Sequence, residues 1–397
     1  MYINDPVYGF TEINGTLFKK IIAHPFFQRL GRIRQLGMGA FVYPGAVHTR
    51  AAHSLGAFHL MNCALDGLTR RGHFIFNAER EGAQAAILLH DLGHSPYSHV
   101  LEQVLVRNVS HENITLAMME HIDRELQGEL GMAIKIFKNE YPKHFLHDLV
   151  SSQLDVDRLD YLCRDSFYCG VREGNIGAAR LLQTFDLHDD RLVISAKGLG
   201  SVENYLMSRR LMYWQVYLHK TVVAAEEVLR SALRRARFLA AEGRHLPCSP
   251  ALRYFLYGRR TLDGETLARF ALLDDSDILS ALKAWTEAGD KVLAMLSSAF
   301  VNRNLFRADT YEDEIPDGIL ESHIDEIASA LSLSRDEAAY FVTSRTVEKE
   351  MYNARTEGIG ILGPDGTIRD VSDLSRLIQS ANPGRCDRKH YVFRLRL

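Results

Sequence analysis

Apolar residues recur at helical spacing nearly everywhere in this chain up to about residue 237, and this pattern constrains the fold more than any other feature. Short breaks at Gly or Pro interrupt the pattern, whereas alternating strand-like segments do not. The clearest helices are predicted over residues 79–91, 151–167 and 202–236. We therefore expect a helical bundle, and 397 residues with 46% hydrophobic content suffice for a large core and one smaller domain.

The segment 242–250 is predicted to be a boundary, which divides the chain into a helical core (1–240) and a smaller α+β region (241–397). The predicted fold class is therefore mainly α, a helical bundle with a smaller C-terminal α+β region. Within that region, helical spacing returns over the segments 265–285, 291–305 and 319–331.

Two strand-like patterns close the chain. Between residues 359 and 371, Pro364-Asp365-Gly366 separates two short apolar runs, as in a β-hairpin. At the C-terminus Tyr391, Phe393, Leu395 and Leu397 alternate with polar or smaller residues, which predicts a terminal strand buried on one face.

Charge and cysteine content exclude several classes of protein. The 47 basic and 50 acidic residues give a net charge of −3, which argues against broad affinity for nucleic acid or for an anionic membrane. Five cysteines without a Cys-x-x-Cys pair suggest neither a disulfide framework nor a zinc ribbon. The N-terminus lacks a signal-peptide pattern, and no apolar run approaches the length of a membrane span. We expect a cytoplasmic protein with no membrane partner.

Candidate metal ligands concentrate between residues 88 and 99, where His90, Asp91, His94 and His99 follow an apolar helix. Imidazole and carboxylate together suit a divalent ion such as Mn, Mg, Fe or Zn. The competing interpretation is that His90 and Asp91 merely cap and solvate the end of that helix.

Two further segments supply ligands of the same kind. His53 lies near the start of a predicted helix, and Asp157, Tyr161 and Asp165 follow at intervals of four, which places these three on one helical face. A carboxylate held on a bundle helix is a common form of metal ligand. The alternative is a solvated polar stripe with Asp–Arg pairs.

The order of these ligands, H…HD…D, resembles that of the HD-domain deoxynucleoside triphosphate triphosphohydrolases, including the group named for a SAM and an HD domain. The resemblance runs through roughly residues 3 to 235, whereas beyond residue 240 only 302–305 looks similar, and no SAM domain is present. It rests on the blocks Asn4-Asp5-Pro6, Phe27-Gln28-Arg29-Leu30, Arg34-Gln35-Leu36-Gly37, Tyr43-Pro44-Gly45-Ala46, His53-Ser54-Leu55-Gly56, His90-Asp91-Leu92-Gly93-His94, Asp155-Val156-Asp157-Arg158-Leu159-Asp160-Tyr161 and Tyr217-Leu218-His219-Lys220.

The resemblance implies an HD-domain helical bundle with a catalytic divalent metal, whose ligands are His53, His90, Asp91 and Asp157. It implies attack at the α-phosphorus of a deoxynucleoside triphosphate (dNTP), which releases triphosphate and a deoxynucleoside. A histidine is the natural proton donor to the departing 5′-oxygen. His99 and His111 are the candidates, and Glu102 stands where close relatives carry the aspartate that partners the second of them.

The resemblance also implies the substrate contacts. The positions that match phosphate contacts are Arg50, His94, Arg158, Arg209 and Lys220, with Arg158 in the place of a lysine. Tyr161 and Asp165 match positions at the deoxyribose, Gln35 and Leu36 lie near the 3′-hydroxyl and the base, and Tyr217 lies against the 2′ carbon, where an aromatic ring excludes a 2′-hydroxyl. For Tyr217 the competing interpretation is core packing on a long helix.

Relatives in this family include oligomers that are activated by a nucleotide bound between subunits. The resemblance thus implies a homo-oligomer, dimer or tetramer, with a nucleotide effector at a subunit interface. The positions that recognise guanine in such relatives are Ala23 and Gly31 here, which indicates that the guanine site is altered or missing. Arg32 and Arg34 lie close by and offer charge for a different effector.

Three functions from different classes remain open at this stage. The first is a dNTP triphosphohydrolase. The second is an HD phosphohydrolase that cleaves a monophosphate, a cyclic dinucleotide or an alarmone, and the matches at Gln35, Tyr161, Asp165 and Tyr217 weigh against it. The third is a nucleotide-binding or nucleic-acid-binding protein without catalysis, and four intact metal ligands and the balanced charge weigh against it.

Overall fold

Helices make up most of the structure, as the apolar spacing predicts. The computed structural model describes residues 1–97, 109–258, 260–350, 352–354, 358–381 and 387–397. Among the described residues up to 241, the helices are α1 (Thr16–Ala23), α2 (Pro25–Leu30), α3 (Arg50–Arg70), α4 (Asn77–Leu89), α5 (His111–Glu125), α6 (Gly131–Phe137), α7 (Phe145–Val150), α8 (Val156–Cys169), α9 (Ala178–Leu182), α10 (Leu199–Met212) and α11 (Lys220–Ala241).

Two hairpins also lie in this part of the chain, which the sequence pattern did not predict. They are formed by β1 (Tyr2–Asp5) with β2 (Gly9–Glu12) and by β3 (Phe185–His188) with β4 (Arg191–Ser195). Each strand has only four or five residues, so its alternation is too short to stand out against the helical spacing around it.

The C-terminal region combines helices and strands, as predicted. Its helices are α12 (Pro250–Leu256), α13 (Gly264–Ala271), α14 (Asp275–Trp285), α15 (Lys291–Val301), α16 (Ile319–Leu331), α17 (Arg335–Ala338), α18 (Val371–Leu374) and α19 (Arg376–Ala381). Its strands are β5 (Arg307–Tyr311), β6 (Val342–Lys349), β7 (Gly360–Leu362), β8 (Ile368–Asp370) and β9 (Asp387–Arg394). The hairpin predicted around Pro364-Asp365-Gly366 is confirmed, because β7 and β8 pair antiparallel on either side of it.

The helix predicted over residues 202–236 is interrupted. It ends as α10 at Met212, a π-helical turn covers Tyr213–Tyr217, and α11 begins at Lys220. The ring of His219 caps the new helix by accepting the backbone N–H of Thr221 at 3.2 Å. Tyr217 therefore lies in the π-helical turn that interrupts the helix. Turns of this kind are frequently found at functional sites.

Over Tyr391–Phe393 the terminal strand is buried on both faces, not on one as predicted. β9 is the central strand between β5 and β6 and pairs antiparallel with both. Val392 is as fully buried as its neighbour Phe393, because a central strand has neighbours on both sides and cover on both faces. Leu395 and Leu397 lie beyond its end.

The predicted boundary near residue 241 coincides with the end of α11, but the two regions are joined closely. β7 adds in parallel to β4, so one four-stranded sheet, in the order β3-β4-β7-β8, contains strands from both. Asp275 of α14 accepts the backbone N–H of Arg34 and that of Tyr97, each at 2.9 Å. The fully buried Arg29 donates to the carbonyl of Leu273 at 2.7 Å and to that of Leu92 at 3.2 Å. The C-terminal region thus holds Tyr97, the last residue of the described segment that contains α4, in place.

Three helices of the core determine where the candidate site lies. α3 packs against both α4 and α8, and their apolar faces join one continuous hydrophobic cluster. In the part of the chain that the structure describes, no helix is both long and apolar enough to cross a membrane.

Candidate active site

The four predicted metal ligands converge from three helices. His53 lies on α3, His90 and Asp91 follow the last turn of α4, and Asp157 lies in the first turn of α8. The Nε2 atom of His53 is 3.2 Å from Nε2 of His90 and 2.9 Å from Oδ1 of Asp157. The Nε2 atom of His90 is 3.3 Å from the same Asp157 oxygen and 3.5 Å from Oδ1 of Asp91. Ligand atoms of His53, His90 and Asp91 all lie within 4.8 Å of one another, and Asp157 Oδ1 adjoins both imidazoles.

Hydrogen bonds on the far side of each imidazole orient both rings. The Nδ1–H group of His53 donates to Asp160 at 2.7 Å, and that of His90 donates to the carbonyl of Ile87 at 2.6 Å. In the neutral form of each ring, the Nε2 atom then carries a lone pair instead of a proton. The two lone pairs face each other, and no hydrogen bond can form between them. A bound cation satisfies both lone pairs, which is the common arrangement of metal-ligating histidines.

The charges of the group also favour a cation. Burial alone would raise the pKa of Asp157, but His90 and His53 hold it well below its usual range. Burial lowers the pKa of His53, yet the hydrogen bonds to Asp157 and Asp160 outweigh it and raise this pKa to about 10. Without an ion, a proton occupies the place of the cation, and nitrogen and oxygen donors of this kind fit a divalent transition metal or magnesium.

Asp160 and Arg164 support this group, and the sequence analysis did not assign either of them. Both side chains are fully buried, and the guanidinium donates to the two oxygens of Asp160 at 2.9 and 3.0 Å. Asp5 in β1 completes the network at 2.9 Å from Arg164. The available signal was the spacing of four between Asp160 and Arg164, which on a helix favours an ion pair.

A cavity of about 740 Å³ opens from Asp91 and Asp157. Of the predicted phosphate contacts, Arg50, His94 and Arg158 line it. Arg50 donates to Asp91 Oδ2 at 2.6 Å, and His94 Nε2 is 3.1 Å from Asp91 Oδ1. Burial and the neighbouring Arg50 lower the pKa of His94 to about 3, so His94 contributes a neutral ring to this wall rather than a charge.

The predicted sugar and base contacts line the same cavity: Gln35, Leu36, Tyr161, Asp165 and Tyr217. The expectation that Asp157, Tyr161 and Asp165 share one helical face is confirmed, since all three line this wall of α8. The hydroxyl of Tyr217 donates to Asp165 Oδ2 at 2.8 Å, which joins the π-helical turn to α8.

His48 is a second residue without an assigned role in the sequence analysis. Its Nε2–H group donates to Asp165 Oδ1 at 2.7 Å, and its buried ring stacks on Tyr168 at a centroid distance of 4.5 Å. Because His48 and Tyr217 each hold one oxygen of Asp165, the orientation of this carboxylate is determined from both sides. The histidine stands two residues before Arg50, but nothing in the sequence connects it with Asp165.

Of the predicted proton donors, His111 lines the cavity at the start of α5 and stacks on His94 at a centroid distance of 4.3 Å. His99 and Glu102 lie outside the described residues.

Two predicted phosphate contacts are not brought to this wall. Arg209 is buried behind it, where it donates to Gln153 Oε1 at 2.8 Å and its guanidinium lies over the ring of Tyr213. Lys220 begins α11 and lines a second cavity of about 730 Å³. Its other basic lining residues are Arg303, Arg307, Arg394 and Arg396.

The fold, with a His-His-Asp group that could hold a metal ion, is that of a hydrolase of the HD type, and comparison with known proteins agrees. The chain belongs to the HD-domain phosphohydrolases. A phosphohydrolase of Bacteroides thetaiotaomicron with a known crystal structure is 49% identical over 100% of both chains, with a TM-score of 0.96. The Bacillus subtilis protein YwfO is 32% identical, over 98% of this chain and 90% of its own. Human deoxynucleoside triphosphate triphosphohydrolase SAMHD1 is 29% identical, over 59% of this chain and 44% of its own. Residues 176–243 match the model of the HD-associated region.

Proposed function

We propose that this protein is a metal-dependent dNTP triphosphohydrolase, which converts a dNTP into a deoxynucleoside and triphosphate. One observation carries the proposal: a single cavity joins Asp91 and Asp157 of the metal group to Tyr161, Asp165 and Tyr217. The hydroxyl and carboxylate groups of these last three residues suit a sugar. They are not needed for hydrolysis of a simple phosphate ester. The human relative is a deoxynucleoside triphosphate triphosphohydrolase, which supports the same substrate.

The residues that line the cavity are proposed to have different roles in the reaction. His53, His90, Asp91 and Asp157 would hold a divalent ion, which would supply Lewis-acid activation of water and of a phosphoryl oxygen. Arg50 and Arg158 bind the phosphates, because guanidinium groups offer forked donors to phosphate oxygens. His111 is the candidate proton donor to the departing 5′-oxygen among the residues that line the cavity.

The product of the reaction tests the proposal directly. We expect purified protein with Mn²⁺ or Mg²⁺ to release inorganic triphosphate and deoxynucleoside from dNTPs, as resolved by anion-exchange chromatography. Release of orthophosphate or pyrophosphate instead, or turnover of only monophosphates, cyclic dinucleotides or alarmones, would contradict it.

Tyr217 is expected to exclude ribonucleotides. Its ring packs between Tyr161 and Tyr213, at centroid distances of 6.0 and 5.3 Å, and its hydroxyl is held by Asp165. A ring fixed on two sides cannot move away from a 2′-hydroxyl. In Tyr217→Ala, the ratio of kcat/KM for a dNTP to that for the matching ribonucleotide should fall by about tenfold or more.

The matched control is Tyr217→Phe, which keeps the ring and loses only the hydroxyl. This variant should retain the discrimination of the unchanged protein. If the alanine variant discriminates as well as the wild type, Tyr217 does not act as a steric barrier.

Self-association and regulation are a further part of the proposal. We propose that the protein forms a homo-oligomer, dimer or tetramer, and that a nucleotide effector binds at a subunit interface. Neither Ala23 nor Gly31 has a side-chain atom that can form a hydrogen bond with a guanine base. The cavity that contains Lys220 and four arginines also contains Asp309 and Glu326, which pair with Arg307 and Arg394, and its excess of basic residues suits a polyphosphate.

A further inference from the structure

The catalytic cavity has an outer end that the sequence analysis did not foresee. Glu226 and Arg230 of α11 and Arg345 of β6 line it together with the residues already described. Arg345 belongs to the C-terminal region, so the cavity is completed by a strand that lies far outside the motif-bearing part of the chain.

The wall contributed by α11 changes character along its length. Val222, Glu226 and Arg230 of α11 are spaced by four and line the cavity, so they form one stripe along it, and Leu218, which precedes α11, lines the cavity as well. Leu218 directly follows Tyr217, Val222 lies in the first turn of α11, and Glu226 follows one turn, about 6 Å, beyond Val222.

This order of surfaces matches the order of groups in a nucleotide. The metal group and Arg50 suit phosphates, Asp165 and Tyr217 suit a sugar, and Leu218 and Val222 suit the apolar faces of a base. The polar groups at the outer end then meet the edge of the base, which carries its hydrogen-bonding atoms.

The outer end carries no net charge. Glu226 Oε2 accepts from Arg345 Nη1 at 2.6 Å, and the buried Glu227 lies 3.5 Å from Arg345 and 3.4 Å from Arg230. Two carboxylates and two guanidinium groups balance each other, so this cluster does not attract a polyanion. It presents oriented donors and acceptors, as recognition of a neutral group requires.

We propose that Glu226 and Arg345 read the edge of the nucleobase and give the enzyme a preference for guanine. Guanine carries two neighbouring N–H donors, N1–H and the N2 amino group, which fit the two oxygens of a carboxylate. It also carries two neighbouring acceptors, O6 and N7, which fit the fork of an arginine. The other three bases lack one or both of these adjacent pairs.

The ion pair prepares this recognition before the substrate binds. In the described residues, Glu226 Oε1 and the Nε and Nη2 atoms of Arg345 make no other hydrogen bond, and Glu226 Oε2 keeps a second lone pair, so each group still offers two atoms to the base. The contact with Glu227 holds the guanidinium in place, which lowers the cost of ordering it on binding. The inference rests on the proposed function, because it assigns the base to this end of the cavity.

The experiment compares kcat/KM for dGTP, dITP, dATP, dCTP and dTTP in the unchanged protein. We expect dGTP to exceed the three other natural substrates by about tenfold, and dITP, which lacks the N2 amino group, to lose most of that advantage. Equal values for dGTP and dITP, or no preference for dGTP, would overturn the inference without any variant being needed.

Variants then assign the preference to the pair. Glu226→Gln and Arg345→Gln should each lower the ratio of kcat/KM for dGTP to that for dTTP by about tenfold. The matched control is Glu348→Gln. Glu348 lies on the same strand as Arg345, and its carboxylate pairs with Arg388. An equal loss for all substrates in the two variants would mean that the pair only supports the fold, and this also refutes the inference. Triphosphate release without base preference refutes the inference alone, whereas absence of triphosphate refutes the proposed function.

Discussion

Replacement of Asp157 with alanine is expected to abolish turnover. Oδ1 of this residue lies within 2.9 Å of His53 Nε2 and 3.3 Å of His90 Nε2, so its loss removes the carboxylate that both imidazoles face. A missing catalytic ion costs several kcal/mol of transition-state stabilisation, and kcat should fall by at least about a thousandfold. Isothermal titration calorimetry with Mn²⁺ should show greatly weakened binding in the same variant.

The fold should survive this change, which makes the result interpretable. Asp157 contributes a negative charge beside two buried histidines, but the helix cap of α8 is provided by Asp155, which accepts the backbone N–H of Arg158 at 2.7 Å. Asp66→Ala is a suitable control, because Asp66 is an exposed residue of α3 that pairs with Arg80 of α4. Retained turnover in Asp157→Ala, with activity of the control unchanged, would refute the assignment of the metal ligands.

The second large effect is expected at Gly56, one turn after His53 on α3. A Cβ atom on this glycine would lie directly against Asp160 Oδ1 and Arg164 Nη2, far inside van der Waals contact. Both side chains are fully buried and have no room to withdraw. Gly56→Ala should therefore break a buried ion pair and lower the free energy of unfolding by about 3 to 5 kcal/mol.

The same substitution should weaken metal binding. Asp160 orients the ring of His53, and loss of such a supporting hydrogen bond typically lowers metal affinity by about 10- to 100-fold. Urea unfolding followed by circular dichroism, and calorimetric titration with Mn²⁺, measure the two effects separately.

Gly67 on the same helix is the matched control. A Cβ atom there meets the carbonyl oxygen of Leu182 at 3.7 Å, an ordinary contact. Gly67→Ala should change stability by no more than about 1 kcal/mol, and in the stabilising direction, because alanine favours a helix more than glycine does. If Gly56→Ala proved as harmless as this control, steric exclusion at Gly56 would not explain why a glycine stands there.

The helical architecture could be predicted because its cause is local. Apolar residues at helical spacing bury one face of each helix, and this periodicity can be read without knowing the partner. The prediction failed where a local signal was weak or interrupted. The π-helical turn at Tyr213–Tyr217 lies inside a run of good helix formers, and the strands β1 to β4 are too short to show a clear alternation.

Much of the candidate site could also be predicted, since His90-Asp91 and the Asp157-Tyr161-Asp165 spacing are local patterns. Their joint order with His53 pointed to one site, and the structure brings the four ligands together. The roles of His48 and Asp160 could not be predicted in this way, because each depends on a contact between helices or loops distant in the sequence.

By itself, then, the sequence of this protein determined its helical bundle, its H…HD…D ligand group and the face of α8 that carries Asp157, Tyr161 and Asp165. Only the tertiary structure separated Lys220 from the catalytic cavity and brought Arg345 into it. The physical reason is that helix periodicity acts over one or two turns, whereas the wall of a cavity is assembled from side chains that meet only when the core packs. Arg345 and Glu226 are 119 positions apart, and no local pattern in either segment indicates that they form an ion pair.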